Sequence, residues 1–303
     1  MSGKINDSKK IFISKAKTFS LAALLLPQKK YNDIIKLYAF CRLTDDLADS
    51  EPFGSNHNKL LEIKNDCLLG VSDQKIISDF LILKEEYKIP NLIIVDFLDA
   101  LIVDQYPRKL KTLNELVNFS YGVASTVGLM ICYIFEVKNK DAVPYAIDLG
   151  IAMQLTNICR DVLEDANKKR IYLPSDLSKK ELNLEKLIMQ NSNQKKIAMD
   201  IILILLNIAD EYYDNAKKGY VFLPIKIRYS IMIASKLYRE IGNKIRSEKK
   251  HYWGKRISVS LVRKIFLIIC EVLNVILNIS KENRKNFINH QSSLYKKFYD
   301  LDF

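Results

Sequence analysis

An all-α fold in a single domain is what this sequence predicts, and three observations predict it. Apolar residues recur at helical spacing from near Lys10 almost to the C-terminus. Only nine glycines and seven prolines punctuate 303 residues, and no Ser/Gly/Pro-rich stretch reads as a linker. No β-type alternation of any length is present, nor a GxGxxG following a strand, which argues against a Rossmann nucleotide site. About 1–8 and 286–303 are expected to be flexible ends of this one domain.

In chain order, helices are expected near 8–23, 28–50, 56–69, 73–87, 91–105, 112–136, 141–167, 181–191, 194–218, 226–247 and 258–285. Pro27, Pro90, Pro144, Pro174 and Pro224 lie at or near starts and breaks, where a missing N–H costs least. Asp73 and Asp141 are suitable helix-start residues.

Composition narrows the function. Five cysteines are scattered with no CxxC, which predicts reduced, packed thiols in a cytoplasmic setting and not a disulfide framework. Three dispersed histidines are too few for a zinc site. The N-terminal MSGKINDSKK lacks the apolar core of a signal peptide. No membrane span is expected: Ile197–Ala209 is short and contains Asp200, and the run from Ile257 to Ser280 is interrupted by Arg263, Lys264 and Glu271. The net charge of +12 suits nucleic acid, an anionic membrane face or phosphorylated substrates. Nothing resembles a nucleic-acid module. The densest basic stretch runs from Lys244 to Lys264 and includes Lys249, Lys250, Lys255 and Arg256.

The chemistry is written in two aspartate pairs, Asp45 with Asp49 and Asp161 with Asp165. A spacing of four places each pair on one helical face, one turn apart. Arg42 and Tyr38 continue the first stripe; Asn157 and Gln154 continue the second, with Arg160 beside them. Their neighbours are apolar, so these polar stripes are expected to line a cavity. Unpaired like charges so close would repel, and a hard divalent cation relieves them. Mg²⁺ prefers oxygen ligands and commonly bridges carboxylates to substrate phosphates, with Mn²⁺ a conceivable substitute. Arg42, Arg160 and Arg170 suit bidentate phosphate binding. A dry apolar cavity would then protect a carbocation left by a departing diphosphate.

TFSLAALLLP, LYAFCRLTDDLAD, YGVASTVGLM, LGIAMQLTNICRDVLEDANKKRIYLPSDL, ADEYYDNAKKGYVFLP and KLYREIGNKI…WGKRIS resemble, in this order, the head-to-head trans-isoprenyl diphosphate synthases of the squalene/phytoene synthase family. The likeness runs from about Lys15 to Lys264. It implies an isoprenoid synthase fold, with helices around a central apolar cavity. Carried over by position, Asp45, Asp49, Asn157, Asp161 and Asp165 would hold Mg²⁺, with Tyr121 and Arg160 joining the four aspartates in catalysis. Lys17, Thr18, Tyr38, Arg42, Gln154, Asn157, Arg170 and Tyr238 would bind substrate. Two departures stand out: Ala16 where relatives often have serine, and Ser125 where glycine is usual. Local wording is most similar to bacterial phytoene synthases, implying two geranylgeranyl diphosphates as substrates, 15-cis-phytoene as product and no NADPH. Farnesyl diphosphate, giving presqualene diphosphate, dehydrosqualene or squalene, is the alternative. A non-catalytic assembly factor, and a terpene cyclase or head-to-tail elongase, are further readings. A peripheral position on the inner face of the cell membrane is expected.

Overall fold

The computed structural model describes residues 2–16 and 18–278, so Lys17 and 286–303 lie outside the described residues. Thirteen α-helices are described: α1 (Ser2–Lys15), α2 (Phe19–Ala23), α3 (Gln28–Ala48), α4 (His57–Leu69), α5 (Lys75–Glu86), α6 (Asn91–Asp104), α7 (Leu113–Ser120), α8 (Thr126–Ile134), α9 (Ala142–Asn167), α10 (Leu184–Ile188), α11 (Ser192–Ala216), α12 (Ile225–Ser247) and α13 (Leu261–Asn278). Residues 2–8 begin α1, where a flexible end was expected.

The sequence places most of these within a few residues, and the differences have physical reasons. The helix expected over 8–23 is two, because the chain breaks between Lys15 and Phe19. That break lets Ala16 and Phe19 both face an internal cavity while Thr18 meets Lys264 of α13. The helix expected over 112–136 contains a π-helical turn, Tyr121–Ser125, between α7 and α8. Its start is fixed by a capping box in which Thr112 accepts from Glu115 N–H and the Glu115 carboxylate accepts from Thr112 N–H. The helix expected over 181–191 shrinks to α10. Two short parallel strands, β1 (Arg108–Lys109) and β2 (Arg170–Ile171), pair Arg108 with Arg170 and Lys109 with Ile171. Two-residue strands are too short to announce themselves by alternation.

The centre is α9, which packs against α8, α11, α12 and the π turn. Ile147, Ile151, Ala152, Leu155 and Cys159 are fully buried there, which is why LGIAMQLTNIC reads as apolar on nearly every face. The run Leu113–Ile134 is long and apolar enough to cross a membrane by length and composition, a feature the sequence reading passed over. It is mostly buried inside the fold, as befits a core helix.

Three contacts fix how the helices slide along one another. Ser125 Oγ donates to the Ile147 carbonyl at 2.7 Å. A Cβ on Gly150 would stand 2.5 Å from Ser125 Cα, so only glycine permits this approach. Lys30 Nζ, near the start of α3, donates to the Ile134 carbonyl at 2.6 Å, at the end of α8. Accordingly α3 and α9 begin at the same end of the molecule, where α8 finishes. Their acidic C-terminal ends lie together at the other.

Candidate active site

An apolar cavity of about 330 Å³ runs beside α9, within the size range of small-molecule sites. Its walls are Val127, Ile131, Ala146, Leu149 and Met153, with Ile231 and Ala234 of α12. Polar groups come from Tyr38, Gln154, Asn157 and Tyr238, four of the residues picked from the sequence. Asn157 Nδ2 donates to Gln154 Oε1 at 3.3 Å, and Asn157 Oδ1 is buried without a partner. Phe19 and Tyr238 rings pack at 4.9 Å. Burial pushes the Tyr38 hydroxyl up to about 12 and raises that of Tyr238, so both stay protonated donors at neutral pH.

Beyond these residues lie the two acidic helix ends. On α3, Arg42 pairs with Asp45 at 3.3 Å and also with Asp46. Asp49 accepts from Lys168 at 2.8 Å and from Arg170 at 2.5 Å, while Arg170 also donates to the Ala48 carbonyl. Since Lys168 and Arg170 follow α9 in the chain, these bonds tie the end of the second acidic helix to the end of the first. On α9, Asp161 is gripped by two guanidinium groups: Arg160 at 2.8 and 2.5 Å, and Arg256 at 2.8 and 2.9 Å.

The four aspartates therefore divide by partner. Burial opposes ionisation of Asp49, yet its bonds to Lys168 and Arg170 outweigh that and lower its pKa. Asp161 is lowered in the same way by Arg160 and Arg256. Asp45 is pushed up to about 6, by burial first and then by the Asp49 charge. Its side chain keeps 46 % of its accessible surface, so water relieves part of that push. Asp165 is raised well above the ordinary carboxylate range by burial, then by Asp161 and Glu164.

Among the described residues, no three acidic, histidine or cysteine side chains converge as a ready-made metal centre. The donor set nevertheless fits a hard cation. It is all oxygen, burial raises two of its carboxylates, Asp45 and Asp165, and Asn157 Oδ1 is buried and unpartnered on the same helix as Asp161 and Asp165. Asp49 and Asp161 would have to share with a metal the oxygens their basic partners now hold.

Of the other residues singled out, Arg170 is buried and bridges Asp49 to Asp104, with Nη1 at 3.9 Å from Asp104. Thr18 accepts from the buried Lys264 at 3.1 Å. Tyr121 does not line the cavity; its hydroxyl donates to Asp96 Oδ2 at 2.8 Å. Ala16 is on the cavity wall, whereas Ser125 is buried against α9 and does not narrow the cavity. Sequence reasoning did not pick out Lys168, Asp104 or a role for Lys264. Lys168 had a signal, since it lies three residues beyond Asp165 on a helical register. Arg256 stood only as part of the basic stretch.

With this geometry in hand, the likeness to known proteins is informative. Residues 14–263 match the family model described as squalene/phytoene synthase. The chain is 31% identical over 279 residues to a 15-cis-phytoene synthase of Paracoccus sp. (strain N81106 / MBIC 01143), covering 88% of this chain and 90% of that protein. It is 31% identical over 258 residues to a phytoene synthase of Rhodobacter capsulatus (83% and 76% covered). Among solved structures, a dehydrosqualene synthase in complex with ligand superposes with a TM-score of 0.77 at 26% identity, covering 90% of this chain and 96% of that one. The squalene synthase HpnC from Alicyclobacillus acidocaldarius gives 0.70 at 19% identity, covering 82% and 95%, a likeness of fold. Joined to the acidic helix ends and the apolar cavity, the match over most of its length means that this chain belongs to the squalene/phytoene synthase family.

Proposed function

We propose that the protein is a 15-cis-phytoene synthase, a prenyltransferase that joins two geranylgeranyl diphosphates head to head in carotenoid biosynthesis. The observation that carries the choice of substrate is the length of the apolar cavity. From Asn157 at its polar end to Ala142 at the other, α9 covers about 22 Å at 1.5 Å per residue. An extended carbon skeleton spans ~1.2 Å per bond, as a stretched polypeptide does, so each five-carbon unit adds ~5 Å. A C20 chain of ~19 Å fits this length, whereas a C15 chain would leave about a third of it empty. The phytoene synthases among its relatives support the same reading.

The residues have natural roles in that reaction. Arg42 and Arg160 stand at the acidic end, where a guanidinium meets a diphosphate with paired N–H donors. Asp45, Asp49, Asp161, Asp165 and Asn157 would hold Mg²⁺, whose chemistry when bound is to neutralise charge on the departing diphosphate. Tyr38 and Tyr238 keep their protons and hold the polar end of the substrate. The apolar walls exclude water from the allylic cation, so the double bond of the second substrate is its nucleophile. Proton loss then closes the cyclopropane of prephytoene diphosphate. A second ionisation with rearrangement and a final proton loss give phytoene, with no call for NADPH.

Farnesyl diphosphate is the second reading, favoured by the superposition on a dehydrosqualene synthase. Incubation with each diphosphate and Mg²⁺, with and without NADPH, followed by mass analysis, decides between them. A C40 hydrocarbon with a central conjugated triene, formed from the C20 substrate regardless of NADPH, supports the proposal; C30 product alone overturns it. Absence of any dimeric hydrocarbon would point to the assembly-factor reading.

The site of action is proposed as the inner face of the cell membrane. On α13, Val262, Ile265, Phe266, Ile269 and Leu273 form an apolar stripe, each residue roughly half exposed or more. Exposed Lys249, Lys250, Lys255 and Arg263 stand before and beside it. An amphipathic helix with basic neighbours binds an anionic bilayer by both terms.

A further inference from the structure

Three elements converge on the far end of the cavity. Along α9, the wall ends at Ala142, where the helix begins. Along α8, it ends at Phe135, the residue that terminates that helix. Along α3, the matching level is Lys30, which bonds the Ile134 carbonyl and the Glu136 carboxylate and so clamps the turn that holds Phe135. Lys30 and Asp45 are about 22 Å apart along α3, the same interval as Ala142 to Asn157 along α9. Phe135 is 2% exposed and Ala142 4%, so both are covered by protein on the side away from the cavity.

We propose that Phe135 is the floor of the cavity and sets the longest prenyl chain the enzyme accepts. This rests on the prenyl diphosphate reading given above and deepens it. Tyr145, the other large ring nearby, is committed sideways: it packs on Phe222 at 5.9 Å and fills the space left by Gly219. On α8 the residue one turn above Phe135 is Ile131, which also lines the cavity. One helical turn is 5.4 Å, close to the ~5 Å of one five-carbon unit. The wall is thus graduated in isoprene units: a ring at 135 stops the chain after four, and a ring at 131 would stop it after three.

The test uses the full-length protein in detergent with Mg²⁺ and all-trans C15, C20 and C25 diphosphates, supplied singly and in equimolar competition, with products weighed by mass spectrometry. Wild type is expected to favour C40 product. Phe135→Ala should raise the C50 to C40 ratio at least tenfold. Ile131→Phe should raise the C30 to C40 ratio at least tenfold. Phe135→Leu, which removes less volume, should move the first ratio in the same direction if the alanine variant does not fold. Folded variants that keep the wild-type ratios overturn the assignment of Phe135 alone. A wild type that yields no dimeric hydrocarbon from any of the three substrates overturns the functional reading, and the floor with it.

Discussion

Gly150→Ala tests the register on which both the site and its floor depend. The new Cβ would lie 2.5 Å from Ser125 Cα, 2.6 Å from Ser125 N and 2.7 Å from Ser125 Oγ. Ordinary carbon contacts need about 3.5 Å, so α9 and the π turn must part by roughly 1 Å. Two of the three obstructing atoms are backbone, so no rotamer change relieves the clash. Overpacking of this kind costs about 1–3 kcal/mol, and weakening the 2.7 Å bond from Ser125 to Ile147 adds about 1. Alanine's better helix propensity returns about 1 kcal/mol. The net loss is about 2 kcal/mol, a fall in Tm of roughly 3 °C for a chain of 303 residues at about 2.1 cal/mol/K per residue. Turnover should fall more steeply than stability, because a wall displaced by 1 Å misplaces the reacting carbons. Calorimetry and steady-state kinetics on one preparation measure both. Gly242→Ala on α12 is the control, for its Cβ would meet the flexible tip of Leu206 at 3.1 Å and Arg246 Nη1 at 3.9 Å; its stability should stay within about 1 kcal/mol of wild type. A Gly150→Ala protein as stable and active as the control would refute the register.

Three further outcomes are expected. Asp45→Asn and Asp161→Asn, or treatment with a chelator, should cut turnover by roughly 100-fold or more while helicity by circular dichroism is unchanged; a near-normal rate removes that position from the metal site. Tyr121→Phe takes a hydrogen bond from Asp96 and should lower kcat about tenfold with KM little moved, whereas a variant that loses only stability would make Tyr121 a packing residue. Phe266→Asp with Ile269→Asp on α13 should abolish co-sedimentation with vesicles containing anionic lipid and leave turnover in detergent unaltered. Binding that survives the double substitution would place the membrane face elsewhere.

The aspartate pairs were legible because their neighbours are apolar and their spacing matches a helical turn. Long helices such as α9 and α11 were legible for the same reason of period. What could not be read was which charges meet across the chain. Arg256 lies 95 positions from Asp161 and Lys168 lies 119 from Asp49, so both bonds depend on tertiary packing. The π turn was hidden because YGVAST shows no break in the apolar run, and it lies where the backbone packs closely on Gly150. The floor was hidden too: Phe135 is one apolar residue in a run of them, and only the meeting of α3, α8 and α9 makes it a terminus.

The division of the four aspartates also bears on how the site is loaded. Asp49 and Asp161 are already matched to basic groups, so the metal-free protein holds these carboxylates in place without mutual repulsion. Asp45 has only the longer 3.3 Å contact with Arg42, and Asp165 is raised by burial and by its acidic neighbours; each neighbours one of the matched pair at one helical turn. In the proposed reaction an arriving diphosphate with its cations would supply both signs at once. If these carboxylates hold Mg²⁺ as proposed, the phosphate oxygens would give Arg42, Arg160 and Arg256 new acceptors. Such an exchange would keep the guanidinium groups paired and so avoid the uncompensated buried charge that makes such sites costly. Arg256 is the group freest to move in that exchange, since 58% of its side-chain surface is open, against 4% for Arg170. Opening on one side and a fixed clamp on the other is what a site needs if it must admit two large anions in succession and release inorganic diphosphate between them.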